Sequence, residues 1–327
     1  MYWYPWLNIS YHKLVKQYRD GRGHHALLIH ALEGCGDDSL IYALIRWLLC
    51  QNIKKEKSCG KCRNCCLIIA GNHPDLYNLH PESGKSSLGI EPVRQIIEQI
   101  YTYTQNGEAK IIYLPLAEAL TESAANALLK TLEEPPENTY FFLGTRNPAN
   151  LLATLRSRCF YVYLQVPNED KSINWMYTQK HLSYDLISMR TALRITNGAP
   201  IAALKLLAPD IWGYRIKFLH GLQQAILHYQ WINLLPLLNN DNVNQYLTWL
   251  CMILLDAIKL QHGVKNTFTN LDQQHIISQL ASTQTNTILQ KQLENWIFCR
   301  HQLLTITGLN REIILTRNLC LWNQYSN

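Results

Sequence analysis

The chain has 327 residues, 47% of them hydrophobic and 17% charged, with a formal charge of +6. That composition excludes a disordered chain and predicts two or three globular domains with cores of their own. No apolar run is long enough to cross a bilayer, and the opening MYWYPWLNIS lacks the charged and apolar regions of a signal peptide, so a cytoplasmic protein without membrane contact is expected.

In chain order, Trp3, Pro5 and Trp6 read as a staple of the amino terminus against the core. His24 and His25 follow, with no further ligand-type residues nearby at metal spacing. An apolar strand over 25–30 runs into a turn holding Gly34 and Gly36, and an apolar helix follows over 39–50. This is the frame of a phosphate loop, G-x-x-x-x-G-K-[ST], in which Lys meets the phosphates and a hydroxyl meets magnesium. Here the lysine position is Asp37 and the hydroxyl position is Asp38. A carboxylate in place of that lysine turns attraction into repulsion, of order 4 kcal/mol at about 4 Å with an effective dielectric near 20. The alternative is an ordinary Gly-x-Gly turn that never held a nucleotide.

Ten cysteines need a reason. Cys35, Cys159, Cys251, Cys299 and Cys320 are scattered singly among apolar neighbours, as small core residues are in a reducing compartment. Cys50, Cys59, Cys62 and Cys65 instead offer four thiolates within sixteen residues. Paired Cys-x-x-Cys turns closing a tetrahedron are how structural zinc is held, and four thiolates leave no open position for catalysis. A zinc module over about 50–66 is therefore expected, with Cys66 an alternative to Cys65. Lys54, Lys55, Lys57, Lys61 and Arg63 lie between the ligands and could favour the thiolates, form a solvated face or touch DNA.

Beyond the module, 76–81 reads as a strand. A helix over 90–105 puts Val93, Ile97, Ile100 and Thr104 on one stripe, with Ile96 beside it. KIIYLPL, over 110–116, is a buried strand. In an ATPase that strand would end in acidic residues holding magnesium, but Pro115 and Leu116 stand there. A helix over 122–134 follows, capped by Thr121 and stopped by Pro135-Pro136. Strands over 140–145 and 160–166 complete the alternation, which implies a doubly wound parallel sheet. The strand signals then fade. A small helical unit with a turn at Gly198–Pro200 runs to about 207, and a second helical region follows.

The order HHALLIHALEGCGDDSL, four-cysteine insert, ESAANALLKTLEEPPENTYFFLGT and LLATLRSRC resembles that of bacterial clamp-loader subunits. The resemblance is specific to about residue 165 and looser, though consistent, beyond it. It implies an α/β P-loop (AAA+) domain with a zinc-binding insert over 1–166, a helical lid over 167–207 and an all-α collar over 208–327. It also implies a non-hydrolysing member of a five-subunit ring. That member would bind a delta subunit on one side and a gamma or tau subunit on the other. It would act on the sliding clamp and primer-template DNA only through the assembled complex. The motif Ser157-Arg158-Cys159 would offer Arg158 across the interface to ATP on the gamma or tau neighbour, as an arginine finger. In ATP-binding members a lid arginine contacts the γ-phosphate; here that position is Ile201. Thr145 matches a polar sensor position and reads as structural without nucleotide. No bound ATP and no intrinsic ATPase are expected, the pocket being degraded at Asp37, Asp38, Pro115, Leu116 and Ile201.

Rival readings remain. An active ATPase would need the lysine, hydroxyl and acidic pair that are replaced here. A lone zinc-dependent DNA-binding module would show salt-dependent DNA affinity by itself. A scaffold would leave Arg158 as an ordinary surface arginine.

Overall fold

Apolar runs alternating with amphipathic stretches build the first of two compact units, 1–167 and 168–327, seen in a computed structural model. The structure describes residues 2–82, 84–101, 109–179, 184–264, 266–306 and 308–326. The first unit carries α1 (Asn8–Arg19), β1 (Ala26–His30), α2 (Asp37–Leu48), α3 (Arg63–Ile69), β2 (Leu76–Asn78), α4 (Ile90–Ile100), β3 (Lys110–Leu114), α5 (Glu122–Glu133), β4 (Thr139–Thr145), α6 (Ala153–Ser157) and β5 (Phe160–Tyr163). All pairings are parallel, in the order β2-β3-β4-β1-β5. This is the predicted five-stranded parallel α/β core. The register places Ile29 beside Gly144 and His30 beside Thr145, so the ends of β1 and β4 open at one edge.

Successive strand residues face opposite ways. Leu28, Ile112, Leu114, Phe141 and Leu143 pack on Val93 and Ile100 of α4 and on Ala124, Leu128 and Leu132 of α5. The intervening Leu27, Ile29, Ile111 and Phe142 are equally buried; α1 packs on α2, and α2 on β4. Thr121 caps α5 as expected, its Oγ1 accepting from the Ala124 N–H at 3.3 Å. Gly144 has a specific steric reason: a Cβ there would come within 2.2 Å of the Pro115 carbonyl oxygen. Pro115 is thus packed directly against β4.

Several boundaries differ from expectation. The second helix begins at Asp37 rather than Ser39, because Gly36, at φ 87°, turns the chain straight into it. β2 stops at Asn78, although the Leu79 N–H still donates to the Tyr113 carbonyl. β5 stops at Tyr163; as an edge strand with mostly exposed residues it has one neighbour, and its pairing ends with the Leu164 N–H on the His30 carbonyl. Thr104 and the end of the expected 90–105 helix lie outside the described residues.

The second unit is helical: α7 (Glu169–Tyr177), α8 (Leu186–Ile195), α9 (Pro200–Leu206), α10 (Pro209–His228), α11 (Leu235–Leu238), α12 (Val243–Gln261), α13 (Gln274–Thr283), α14 (Asn286–Thr305) and α15 (Arg311–Ser326). Its core is rich in tryptophan, with Trp231 stacked on Trp322 at 3.9 Å between ring centroids. Arg215, fully buried, donates to Asp272 and Asn270. Asp256, also buried, accepts from Lys259 and from the Thr269 and Asn270 backbone. These buried charges are paired, as burial requires. Among the described residues no helix is long and apolar enough to cross a membrane.

Candidate functional site

The loop between β1 and α2 turns on two glycines. Gly34 and Gly36 adopt φ of 83° and 87°, which only glycine reaches easily. The N-terminus of α2 carries positive dipole, where a phosphate or a carboxylate is favoured. The chain supplies the carboxylate itself. Asp37, 2% exposed, sits in the first turn of α2 and accepts from Arg146 Nη1 at 2.7 Å. Arg146 follows β4 and also donates to the Ala31 carbonyl at 3.3 Å. Burial pushes the Asp37 carboxyl above the usual carboxylate range, and Arg146 pulls it part of the way back. Burial works against the Arg146 charge as well, but Asp37, Asp38 and Glu33 together outweigh it and raise its pKa.

Other contacts close the loop. Asp38 accepts from the Tyr113 hydroxyl at 2.7 Å, at the end of β3. Burial, followed by this bond to Asp38, raises the Tyr113 pKa. Trp6 donates its indole N–H to the Cys35 carbonyl at 2.8 Å, so it anchors the amino-terminal segment on the loop itself. Glu118 holds the end of β4. One of its oxygens, Oε1, accepts from the Thr145 hydroxyl at 2.6 Å, the Arg146 N–H at 2.7 Å and the Asn147 N–H at 2.6 Å. Sequence reasoning missed Glu118 and Arg146. Leu116 is 41% exposed just beyond β3, and Ile201 lies in α9 of the other unit.

Arg158 caps the short helix α6, which is anchored by buried Leu155. Its Nε donates to Glu133 Oε1 at 2.7 Å, and Nη2 donates to the same oxygen. Nη1 donates to the Thr154 carbonyl at 2.8 Å. The Arg158 side chain keeps 28% of its surface exposed. Ser157 Oγ donates to the Thr154 carbonyl as well, while burial pushes the Cys159 thiol up to about 12, so the flanking residues of the motif support the backbone.

Cys50, Cys59, Cys62 and Cys65 bring four Sγ atoms within 4.8 Å of one another, a cluster able to hold a metal ion. A tetrahedral zinc with bonds near 2.3 Å needs sulfurs about 3.8 Å apart, and Cys59 and Cys65 stand at 4.0 Å. Backbone N–H groups point at the sulfurs: Lys61 and Cys62 donate to Cys59, and Cys65 donates to Cys62. Such donors are the usual second layer around a thiolate, and those from Lys61 and Cys62 hold the Cys59 thiol down to about 6. Burial pushes Cys65 up to about 12, so its thiolate would need the cation. Cys66 is exposed and turns to the Lys61 carbonyl, outside the cluster. The five basic side chains of the module are all exposed. His25 is bonded to the Leu132 carbonyl and His24 to the Ala26 backbone, which explains both without a metal.

Three family models match in succession. These are DNA polymerase III, delta subunit, over 7–168; the AAA+ ATPase lid domain of DNA polymerase III subunit delta', over 167–208; and the C-terminal domain of the DNA polymerase III delta subunit, over 209–324. The DNA polymerase III subunit delta' of Yersinia pestis is 50% identical over 98% of this chain and 96% of its own length. That of Escherichia coli is 46% identical over 97% and 94%. The tau subunit of Escherichia coli is 29% identical over 57% of this chain and 29% of its own.

Proposed function

The chain belongs to the family of DNA polymerase III delta-prime subunits, and from that premise we propose that it is the non-hydrolysing stator of a clamp loader. The observation that carries this reading is the Asp37–Arg146 ion pair at the N-terminus of α2. A bound phosphate would need the position of the Asp37 carboxylate, and the Arg146 charge is already spent on it. With Pro115 and Leu116 after β3, no side chain there could hold magnesium or activate water. The subunit then turns over no ATP of its own.

Its contribution is Arg158, offered in trans to nucleotide on a gamma or tau neighbour. A planar guanidinium that stays charged suits bidentate contact with phosphate oxygens as charge develops in transfer. Fingers of this kind accelerate hydrolysis by about 10³–10⁵ in other NTPases. We divide the chain into an AAA+ domain over 1–166, a lid over 167–207 and a collar over 208–327. The collar would join the delta subunit and a gamma or tau subunit. Exposed Ile297, Phe298, Leu304 and Ile313 on α14 and α15 support such an interface. The complex, in the cytoplasm, would open the sliding clamp and release it closed on primed DNA. Zinc held by Cys50, Cys59, Cys62 and Cys65 would cross-link the insert and do no chemistry. The basic face of that insert sustains the second reading, a DNA-binding module acting alone.

The test is DNA-stimulated ATP turnover by a reconstituted loader carrying Arg158→Ala. Turnover should fall at least tenfold at the adjoining site while the ring stays assembled. Unchanged turnover in an intact ring would leave a scaffold. Salt-dependent DNA binding by the isolated chain would favour the second reading.

A further inference from the structure

Arg158 is held by its own chain, and the way it is held has a cost. Glu133 is the last residue of α5, where the helix dipole disfavours a carboxylate. Two of the guanidinium's N–H groups nevertheless converge on its Oε1, and a third is fixed by the Thr154 carbonyl. Glu134, next along the chain, makes no ion pair among the described residues. The Glu133–Arg158 pair is also within reach of solvent, with side chains 48% and 28% exposed. Exposed pairs of this kind are weak and exchangeable, whereas a phosphate offers more charge and two oxygens in fork geometry.

We propose that Glu133 is a positioning residue that parks the Arg158 guanidinium in cis until a nucleotide phosphate on the neighbouring subunit displaces it. The proposal rests on the finger reading above and adds a competitor to it. While parked, Arg158 keeps its rotamer and is shielded from wrong anions. Each engagement with the neighbour breaks the Glu133 pair, which raises the nucleotide concentration needed. Neutralising Glu133 therefore strengthens the trans contact.

The experiment is steady-state ATP turnover by the reconstituted loader, with clamp and primed DNA, across ATP concentration. Native subunit, Glu133→Gln, Glu133→Asp and Arg158→Ala are compared. Glu133→Gln keeps the shape and loses the charge, at a surface position where folding should survive; thermal melting of the isolated chain checks this. The expected result is a KM for ATP about 2- to 5-fold lower in Glu133→Gln, with Glu133→Asp closer to native. In the isolated chain, the Arg158 Nε–H resonance should move upfield in Glu133→Gln, as a neutral amide oxygen replaces the carboxylate acceptor. If Arg158→Ala lowers turnover but Glu133→Gln leaves KM unchanged or raises it, the parking role is wrong and the finger stands. If Arg158→Ala has no effect in an intact ring, both readings fall together.

Discussion

Arg146 gives Asp37 its cation, and without it a carboxylate 2% exposed would have only the N-terminus of α2 to offset its charge. Breaking a buried pair from one side costs about 3–5 kcal/mol. Because the Arg146 side chain is 32% exposed, water can replace part of its effect, and Arg146→Gln should cost roughly 1–3 kcal/mol. The pH dependence has a definite sign. Burial holds the Asp37 pKa above its unfolded value, and losing Arg146 raises it further. Between those two values the folded state binds more protons than the unfolded state, so stability rises as pH falls. In urea melts, the deficit of Arg146→Gln should be largest at neutral pH and shrink as the pH falls through the folded pKa of Asp37. Adding Asp37→Asn should remove most of it. A deficit that does not change with pH would mean that Arg146 acts through packing alone. None of this was legible in the sequence. Asp37 could be read as the loss of a lysine, but its partner lies 109 residues away, after a strand, in no motif. Glu118 was invisible for the same reason: its ligands are one hydroxyl and two backbone N–H groups that only the fold brings together.

The elements were legible where their signal is local. β1, β3 and β4 are apolar runs buried by helices, and each was found within a residue or two at its ends. β2 and β5, at the sheet edges, came out shorter than read, because an edge strand's pairing depends on a single neighbour that the sequence does not reveal. The cysteine cluster was the most legible element, since the four cysteines chosen by spacing are the four whose Sγ atoms come within 4.8 Å of one another. Its one ambiguity, Cys65 against Cys66, is a matter of side-chain direction: Cys65 is fully buried in the cluster and Cys66 faces out. Purified Cys66→Ser should therefore retain about one equivalent of zinc by elemental analysis. Cys65→Ser should retain much less and expose the segment around 50–66 to protease, because ligation stabilises such a module. Equal zinc in the two variants would return Cys66 to the ligand set.

At the scale of the molecule, the two units differ in what the sequence could say of them. The first has motifs at fixed spacing; the second has only helical periodicity, so its fold class was readable and its pairings were not. Arg215 with Asp272, and Trp231 with Trp322, join segments far apart in the chain. What the second unit does leave on view is apolar surface, with Phe298 59% and Ile313 66% exposed. Residues already in water add little to the stability of the isolated chain, so Phe298→Ser with Ile313→Ser should shift its unfolding free energy by about 0.5 kcal/mol or less each. If the collar buries them against neighbouring subunits, each should instead contribute about 1 kcal/mol or more to assembly. The double variant would then bind a complex of gamma or tau and delta at least roughly thirtyfold more weakly by sedimentation. Because the isolated chain keeps its stability, that loss would be one of contact and not of fold. An unchanged affinity would place the assembly surface on another face of the second unit.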